Sequence, residues 1–385
     1  MKHHRTFSAP SRLAASIVVA AAAACSFAAH AQSQSTGNVT IYGLIDSGVE
    51  YVSNVNGGGH VVRMPSLTGT LPSRLGFRGV EDLGDGLKAV VVLESGIAPD
   101  SGALNQGGRI FGRQAYVGLS GSWGQLSFGR QYSQLFWSLI GDTLAPNIYA
   151  AGVLDSYIPN ARVDNSIAYR GTFAGLTVGA TYSLGRDAVA PAAAGGCAGE
   201  TTDSKACRHV SGALQYATKA WGLALIYDRN SGGAGAGSPL PSSSQADTRK
   251  MATAFYSFGE TTTVATIGAG FERRINDGAP PSGVATTQRS DYWWLGGVYY
   301  IGLFSFDLQY GSLKYHASST GTGALVLAAR TMYNLSKRTA LYLTAGHIDN
   351  KGNSMVSIDG GNITGSAPLA GGNQNGVMVG IRHFF

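Results

Sequence analysis

Beyond residue 37 no stretch of the chain sustains the 3.6-residue apolar repeat of an amphipathic helix. Short segments alternate apolar and polar positions instead. In Leu176–Leu184 the odd face of Val178's neighbours is small and polar (Thr177, Gly179, Thr181, Ser183), while Leu176, Val178, Ala180, Tyr182 and Leu184 share the other. Phe304, Phe306, Leu308 and Tyr310 oppose Ser305, Asp307 and Gln309. At the C-terminus Val377, Val379, Ile381, His383 and Phe385 oppose Met378, Gly380, Arg382 and Phe384. A repeat of two means strands with two unlike faces. About sixteen such segments are legible by this criterion. They begin near Val39, Arg74, Leu87, Ile110, Gln125, Asn165, Leu176, His209, Trp221, Lys250, Thr261, Asp291, Leu303, Ala324, Thr339 and Asn375.

The connections alternate in length. Those at 82–86, 120–124, 172–175, 218–220 and 336–338 are short. Those at 54–72, 97–108, 133–163, 185–207, 230–248, 274–289, 316–322 and 349–374 are long and rich in Gly, Ser, Asn and Pro. On an antiparallel sheet this puts every short turn at one end. That is the pattern of an outer-membrane barrel, with an apolar face for lipid and a polar face for water. Closure satisfies every backbone group, as hydrocarbon demands. The predicted fold is therefore all-β, a sixteen-stranded antiparallel transmembrane β-barrel. Tyr292, Trp293, Trp294, Tyr299 and Tyr300 bracket one segment, and Trp123 and Trp221 flank short turns. These suit interfacial girdles.

Composition agrees. Only 13% of residues are charged and 55 of 385 are Gly, against roughly 25% and 7% in an average soluble domain. Aromatics at 10% exclude a disordered chain. A mean hydropathy of +0.03 excludes a polytopic helical membrane protein. Lys2, Arg5 and Arg12 precede an apolar stretch from Leu13 to Ala24, and Ala29-His30-Ala31 follows. That is a signal-peptide pattern. Residues 1–31 are expected to be removed after Ala31, leaving 32–385 as the barrel. A short membrane anchor and a lipoprotein at Cys25 are weighed against it; the apolar run is too short to span, and Ala22 stands where a lipobox usually has Leu. Losing three of six formal positive charges leaves +3, too little for a nucleic-acid partner. Cys197 and Cys207 remain, with nine residues between them. In an exported chain they are expected to form a disulfide within the fourth long loop.

Val39-Thr-Ile-Tyr-Gly43, the run Ser73 to Gly84 (SRLGFRGVEDLG), Gly112-Arg-Gln-Ala-Tyr-Val-Gly-Leu119, Phe128-Gly-Arg-Gln131 and the terminal Phe385 together resemble Gram-negative trimeric general diffusion porins, the beta-proteobacterial type above all. The resemblance spans Val39 to Phe385 and is most specific in the first half. It implies sixteen strands, a homotrimer, a third loop folded inward, an outer-membrane setting among lipids and lipopolysaccharide, and passive passage of small hydrophilic solutes and ions. It implies no cofactor and makes Phe385 a C-terminal assembly signal. Arg74 and Arg113 match wall arginines of the family's constriction, Arg162 is similar to a third, and Glu94 matches a wall glutamate. Asp142 and Asp155 fall in the third loop. The family's Pro-Glu-Phe-Gly-Gly motif is missing there, and Asn147 follows Pro146 where Glu would stand.

Strand parity adds Arg78, which shares a face with Arg74, and Arg130, which shares one with Tyr132. Arginine at the lipid midplane costs about 2–4 kcal/mol, which directs these side chains inward. Arg outnumbers Lys 20 to 8, and Arg stays ionised in a crowded ladder. The constriction is expected to hold Arg74, Arg78, Arg113, Arg130 and Arg162 against Glu94, Asp142 and Asp155. Five cations against three anions predict weak anion preference. In the first strand Gly43, Ser47 and Gly48 would allow close subunit approach.

No His-Glu-x-x-His, Cys-x-x-Cys, Walker loop or nucleophile elbow occurs. Gly84-Asp-Gly86 reads as a turn. His316 and His347 sit singly beside loops, so no metal is expected. Two rival functions remain: a substrate-specific channel, which would line its lumen with an aromatic track, and an outer-membrane barrel enzyme, which would need a catalytic set on its rim.

Overall fold

Val, Ile, Thr, Tyr and Phe fill the alternating segments, and β-branched and aromatic side chains suit a pleated surface. In the computed structural model these segments are strands. The structure describes residues 38–385 apart from 57, 145–146, 186–196, 198, 234–239, 261–262, 279–287, 317–321 and 361–364. The expected leader, 1–31, lies outside the described residues, as does Pro146.

In chain order the strands are β1 (Asn38–Val55), β2 (Gly59–Arg63), β3 (Arg74–Gly84), β4 (Leu87–Ala98), β5 (Ala103–Leu104), β6 (Gln114–Gly121), β7 (Gly124–Tyr132), β8 (Arg162–Phe173) and β9 (Leu176–Gly185). They continue as β10 (His209–Ala217), β11 (Trp221–Ser231), β12 (Ala246–Glu260), β13 (Thr263–Asn276), β14 (Gln288–Ile301), β15 (Phe304–Tyr315), β16 (Gly323–Asn334), β17 (Thr339–Lys351) and β18 (Asn373–Phe384). Strands β2 and β5 lie within the first and second long loops. The other sixteen pair antiparallel, each with its neighbours, and close where β1 meets β18, with Leu44 opposite Phe384 and Val52 opposite Gly376. Closure is completed on the other edge of β1 by β3, with Asn38 opposite Val80 and Leu44 opposite Arg74.

The burial of alternate residues is inverted relative to a water-soluble protein. On β18, Val377, Val379 and Ile381 are exposed on the outer surface while Gln374 and Met378 are buried inside. On β9, Tyr182 and Leu184 are exposed and Thr177, Thr181 and Ser183 are buried. An apolar outside and a polar inside is what lipid around and water within require.

The apolar core is not between sheets but inside the barrel. The third long loop, 133–161, lies against the inner wall. Its Leu135, Leu144, Ile148, Tyr149, Val153, Leu154, Tyr157 and Ile158 pack with Ile226, Met251, Tyr292, Trp294, Val326, Met332, Tyr342 and Ile348 of the strands.

Candidate functional site

The start of the third loop bonds to β11 and β9, and residues 138–149 then bond in order to β12, β14, β15, β16, β17 and β1. Ser133 donates to Asp228 on β11 at 3.0 Å, and the Gln134 amide donates to Thr181 on β9 at 3.0 Å. Thr253 on β12 donates to the Ser138 carbonyl at 2.7 Å, and Trp294 Nε1 on β14 to the Gly141 carbonyl at 3.1 Å. Gln309 on β15 donates to Asp142 at 2.6 Å, Arg330 on β16 to the Leu144 carbonyl at 3.2 Å. Asn147 donates to Thr344 on β17 at 2.9 Å. Tyr149 donates to Glu50 on β1 at 2.8 Å. The chain then doubles back: Asp155 accepts from Arg249 on β12 at 2.8 Å, and Tyr157 donates to Asp228 at 3.1 Å.

Two close approaches seat the loop. A Cβ on Gly141 would run into the Ala254 and Ala269 carbonyl oxygens of β12 and β13. One on Gly270 would fall within the Trp294 ring. Glycine at both positions lets backbone and indole pack directly on the wall.

What the loop leaves bare is the inner wall of β3 to β8, and most of the expected arginines stand there. Arg113 donates to Glu94 Oε1 through Nε at 2.6 Å and to the Tyr132 hydroxyl through Nη2 at 2.6 Å. Arg162 donates to the same hydroxyl at 2.6 Å, with its guanidinium carbon 4.5 Å from the Tyr132 ring centroid. Tyr42 donates to Glu94 Oε2 at 3.0 Å. Arg74 donates to the Pro72 carbonyl at 3.1 Å. Arg78 follows on the same face of β3 and is exposed. Strand parity alone would send Arg113 away from Glu94, because Tyr116 and Gly118 carry the lumenal parity of β6. A bend just before that strand turns it inward.

Arg130 sits where the pairing of β7 with β8 slips by one residue, between Gly129 and Gln131. It bonds the Gly112 carbonyl at 2.8 Å and Asp164 at 2.6 Å, apart from the Glu94 group. The two loop acids also stand apart from the arginine wall. Asp142 is bonded to Gln309 across the barrel. Asp155 is buried with Arg249 and lies 3.6 Å from Arg274. Burial pushes the Asp155 carboxyl up, but Arg249 and then Arg274 outweigh it and hold it below the usual carboxylate range. Asn147 is buried and spends its amide on Gly69 and Thr344.

Besides Arg63, Arg249 and Arg274, which hold Glu50 and Asp155, the lumenal cations Arg170, Arg382 and Arg330 are absent from the sequence expectation. Arg170 on β8 donates to Gln134 and Gln215. Arg382 on β18 has an Nε with no partner. Arg330 is bonded twice to Asp307. Each has the lumenal parity of its strand, which was the available signal. Among the described residues Arg74, Arg78, Arg162, Arg170 and Arg382 form no ion pair with an acid. Among the described lumenal acids, Glu50 is occupied by Arg63, Glu94 by Arg113, Asp307 by Arg330, Asp228 by His209, and Asp46 by the Tyr342 hydroxyl at 2.7 Å, while Glu272 lies 3.7 Å from Arg249 and leaves Oε2 without a hydrogen bond.

Away from the throat, Cys197 and Cys207 are bonded, with their Cα atoms 5.2 Å apart, beside Gly233 of the fifth loop. Phe385 exchanges two backbone hydrogen bonds with Gly43, at 3.1 and 3.2 Å, and lays its ring over that glycine.

Comparison with known proteins gives a consistent set of matches. A model of the Gram-negative porin family matches residues 15–353. Outer membrane porin protein 32 of Delftia acidovorans is 30% identical over 96% of this chain and 99% of its own length. An outer membrane porin protein of Bordetella pertussis is 36% identical over 55% of this chain, an alignment spanning 58% of that protein. The solved structure of an anion-selective porin from Comamonas acidovorans superposes with a TM-score of 0.71, covering 91% of this chain and all of that one at 25% identity.

Proposed function

The chain belongs to the Gram-negative porin family and forms a diffusion channel in the outer membrane, and from that premise we propose that its throat passes small hydrophilic solutes with a preference for anions. One observation carries this: among the described residues five lumenal arginines have no acid partner, while Glu50, Glu94, Asp307, Asp228 and Asp46 are each spent on a donor. Fixed guanidinium groups in a narrow passage raise the local concentration of anions, although salt screens them over about 8–10 Å. The anion-selective porin from Comamonas acidovorans, which shares the fold, supports the same reading. The test is the reversal potential of single channels in a potassium chloride gradient. It should lie on the chloride side, and Arg74→Ser with Arg78→Ser should move it toward potassium and raise conductance. An unchanged potential in that variant would remove these residues from the conduction path.

The outer surface is divided in a way that supports two partners. The flank of β18, β1, β3, β4 and β6 exposes mostly aliphatic residues, among them Ile45, Val49, Val91, Val117 and Val379, with the aromatics Tyr51 and Phe385. This apolar flank suits contact between subunits, and the channel is read as a homotrimer. In mild detergent an unheated sample should run at three times the chain mass and collapse to one on heating. The opposite flank carries Lys250, Arg273, Asp291 and Lys314 in one pairing row across β12 to β15. Asp291 draws in Arg273 at 2.8 Å and Arg289 at 3.3 Å. Phe271 and Trp293 lie exposed just below. Cations above an apolar belt suit the phosphates of lipopolysaccharide. Lys250→Ser with Lys314→Ser should lower the amount that co-purifies. N-terminal sequencing of the exported protein should begin at Gln32.

A further inference from the structure

We propose that the throat holds, in passing, monocarboxylates with an apolar body, their carboxylate toward the arginine wall and their body against the third loop. This rests on the anion-preferring reading above and adds a substrate class to it. The channel-facing surface of the third loop is not the acidic strip that would mirror an arginine wall. It forms, with the end of the first long loop, a recess with a cavity volume of ≈ 130 Å³, lined chiefly by Leu67, Pro72, Phe136, Leu139, Ile158 and Pro159. A water-filled passage gains nothing from such a surface when only inorganic ions cross it. An apolar solute does gain, and gains more with each methylene it buries.

The recess meets the arginines directly. Arg74 donates to the carbonyl of Pro72, one of its lining residues. Arg162 donates to the side chain of Asn160, another, at 3.3 Å. Phe136 stacks on Tyr132 with ring centroids 3.7 Å apart, and the Tyr132 hydroxyl takes hydrogen bonds from both Arg113 and Arg162. Apolar floor and cationic rim are thus one continuous structure. Asp142 is the one acid lining the recess. It is held by Gln309 on the far strand β15, across the barrel from the arginines of β3 and β8. A solute with a carboxylate at one end is oriented by this pair. A second carboxylate at the other end would meet Asp142, so dicarboxylates are disfavoured.

The test is block of the chloride current through single channels by acetate, hexanoate, adipate and uncharged hexanol. Hexanoate should interrupt the current at concentrations roughly tenfold below those needed of acetate or adipate, the added methylenes supplying the difference. Hexanol should have little effect. Leu67→Ser with Leu139→Ser should bring hexanoate to the level of acetate while leaving the chloride-to-potassium ratio unchanged. Equal block by hexanoate and acetate in the unaltered protein would overturn the inference, whatever the variants do. A chloride preference that is absent while hexanoate still blocks would instead overturn the anion reading and leave the recess standing.

Discussion

Glu94 shares a buried pocket with Arg113, Tyr42 and, by way of Tyr132, Arg162. Removing its charge and removing its partner have different consequences. Glu94→Gln keeps the shape and frees one guanidinium, so the reversal potential should move further to the chloride side. Arg113→Met leaves a buried carboxylate with only the Tyr42 hydroxyl, a loss of about 3–5 kcal/mol. It should appear as a lower urea midpoint for unfolding. Packing at single positions is as sharply defined. Gly270→Val would drive a branched side chain into the Trp294 indole. Overpacking of this kind costs about 1–3 kcal/mol, and the shift should be visible in both the midpoint and tryptophan fluorescence. At this scale the sequence was partly legible. Arg74 and Arg78 follow from parity, and Glu94 and Arg113 from the family pattern. Asp155 could not be placed, because a residue in an aperiodic loop has no parity, and its partner Arg249 lies 94 residues away.

At the scale of elements, the strands were readable and the third loop was not. The expected strand starts lie close to the observed ones, the largest differences being at Ile110 against Gln114 and Lys250 against Ala246. Period two survives because one face must meet lipid along the whole span. The loop's inward course came from family resemblance alone. Its own signal was an unusual apolar content, Leu135, Leu144, Ile148, Leu154 and Ile158, in a segment otherwise resembling a surface connection. The return limb of that loop is tied down by Asp155. Because its carboxyl is held below the ordinary value of about 3.9, the stabilisation is fully present above that value and is lost only as pH falls through the lower, folded one. Conductance should therefore be steady from neutral to mildly acidic pH. Asp155→Asn should loosen the limb at neutral pH, with noisier open-channel current.

For the whole molecule, the division of the surface and the closing of the ring matter most. Strand order, inside and outside followed from alternation and loop lengths; the uneven outer surface did not, since neighbouring positions on different strands become adjacent only when the pairing is known. Lys250, Arg273 and Lys314 are scattered in sequence and form one row in the barrel. Phe385 supplies two backbone hydrogen bonds and a ring to Gly43 at the closing joint. Its deletion should reduce the heat-resistant fraction recovered after refolding into detergent, and Phe385→Leu, which keeps the backbone bonds, should do so less.

That joint also sets a condition on biogenesis. The strand made first finds its second neighbour only in the strand made last, so every intermediate is a ribbon with two bare edges. Such a ribbon cannot rest in hydrocarbon, where each unpaired peptide group is costly, and in the periplasm its edges and its apolar face both invite aggregation. A chain broken anywhere before β18 therefore has no partial product of lasting use. Completeness of the polypeptide is verified by a single act of pairing, and an escort must shield the chain until that act takes place.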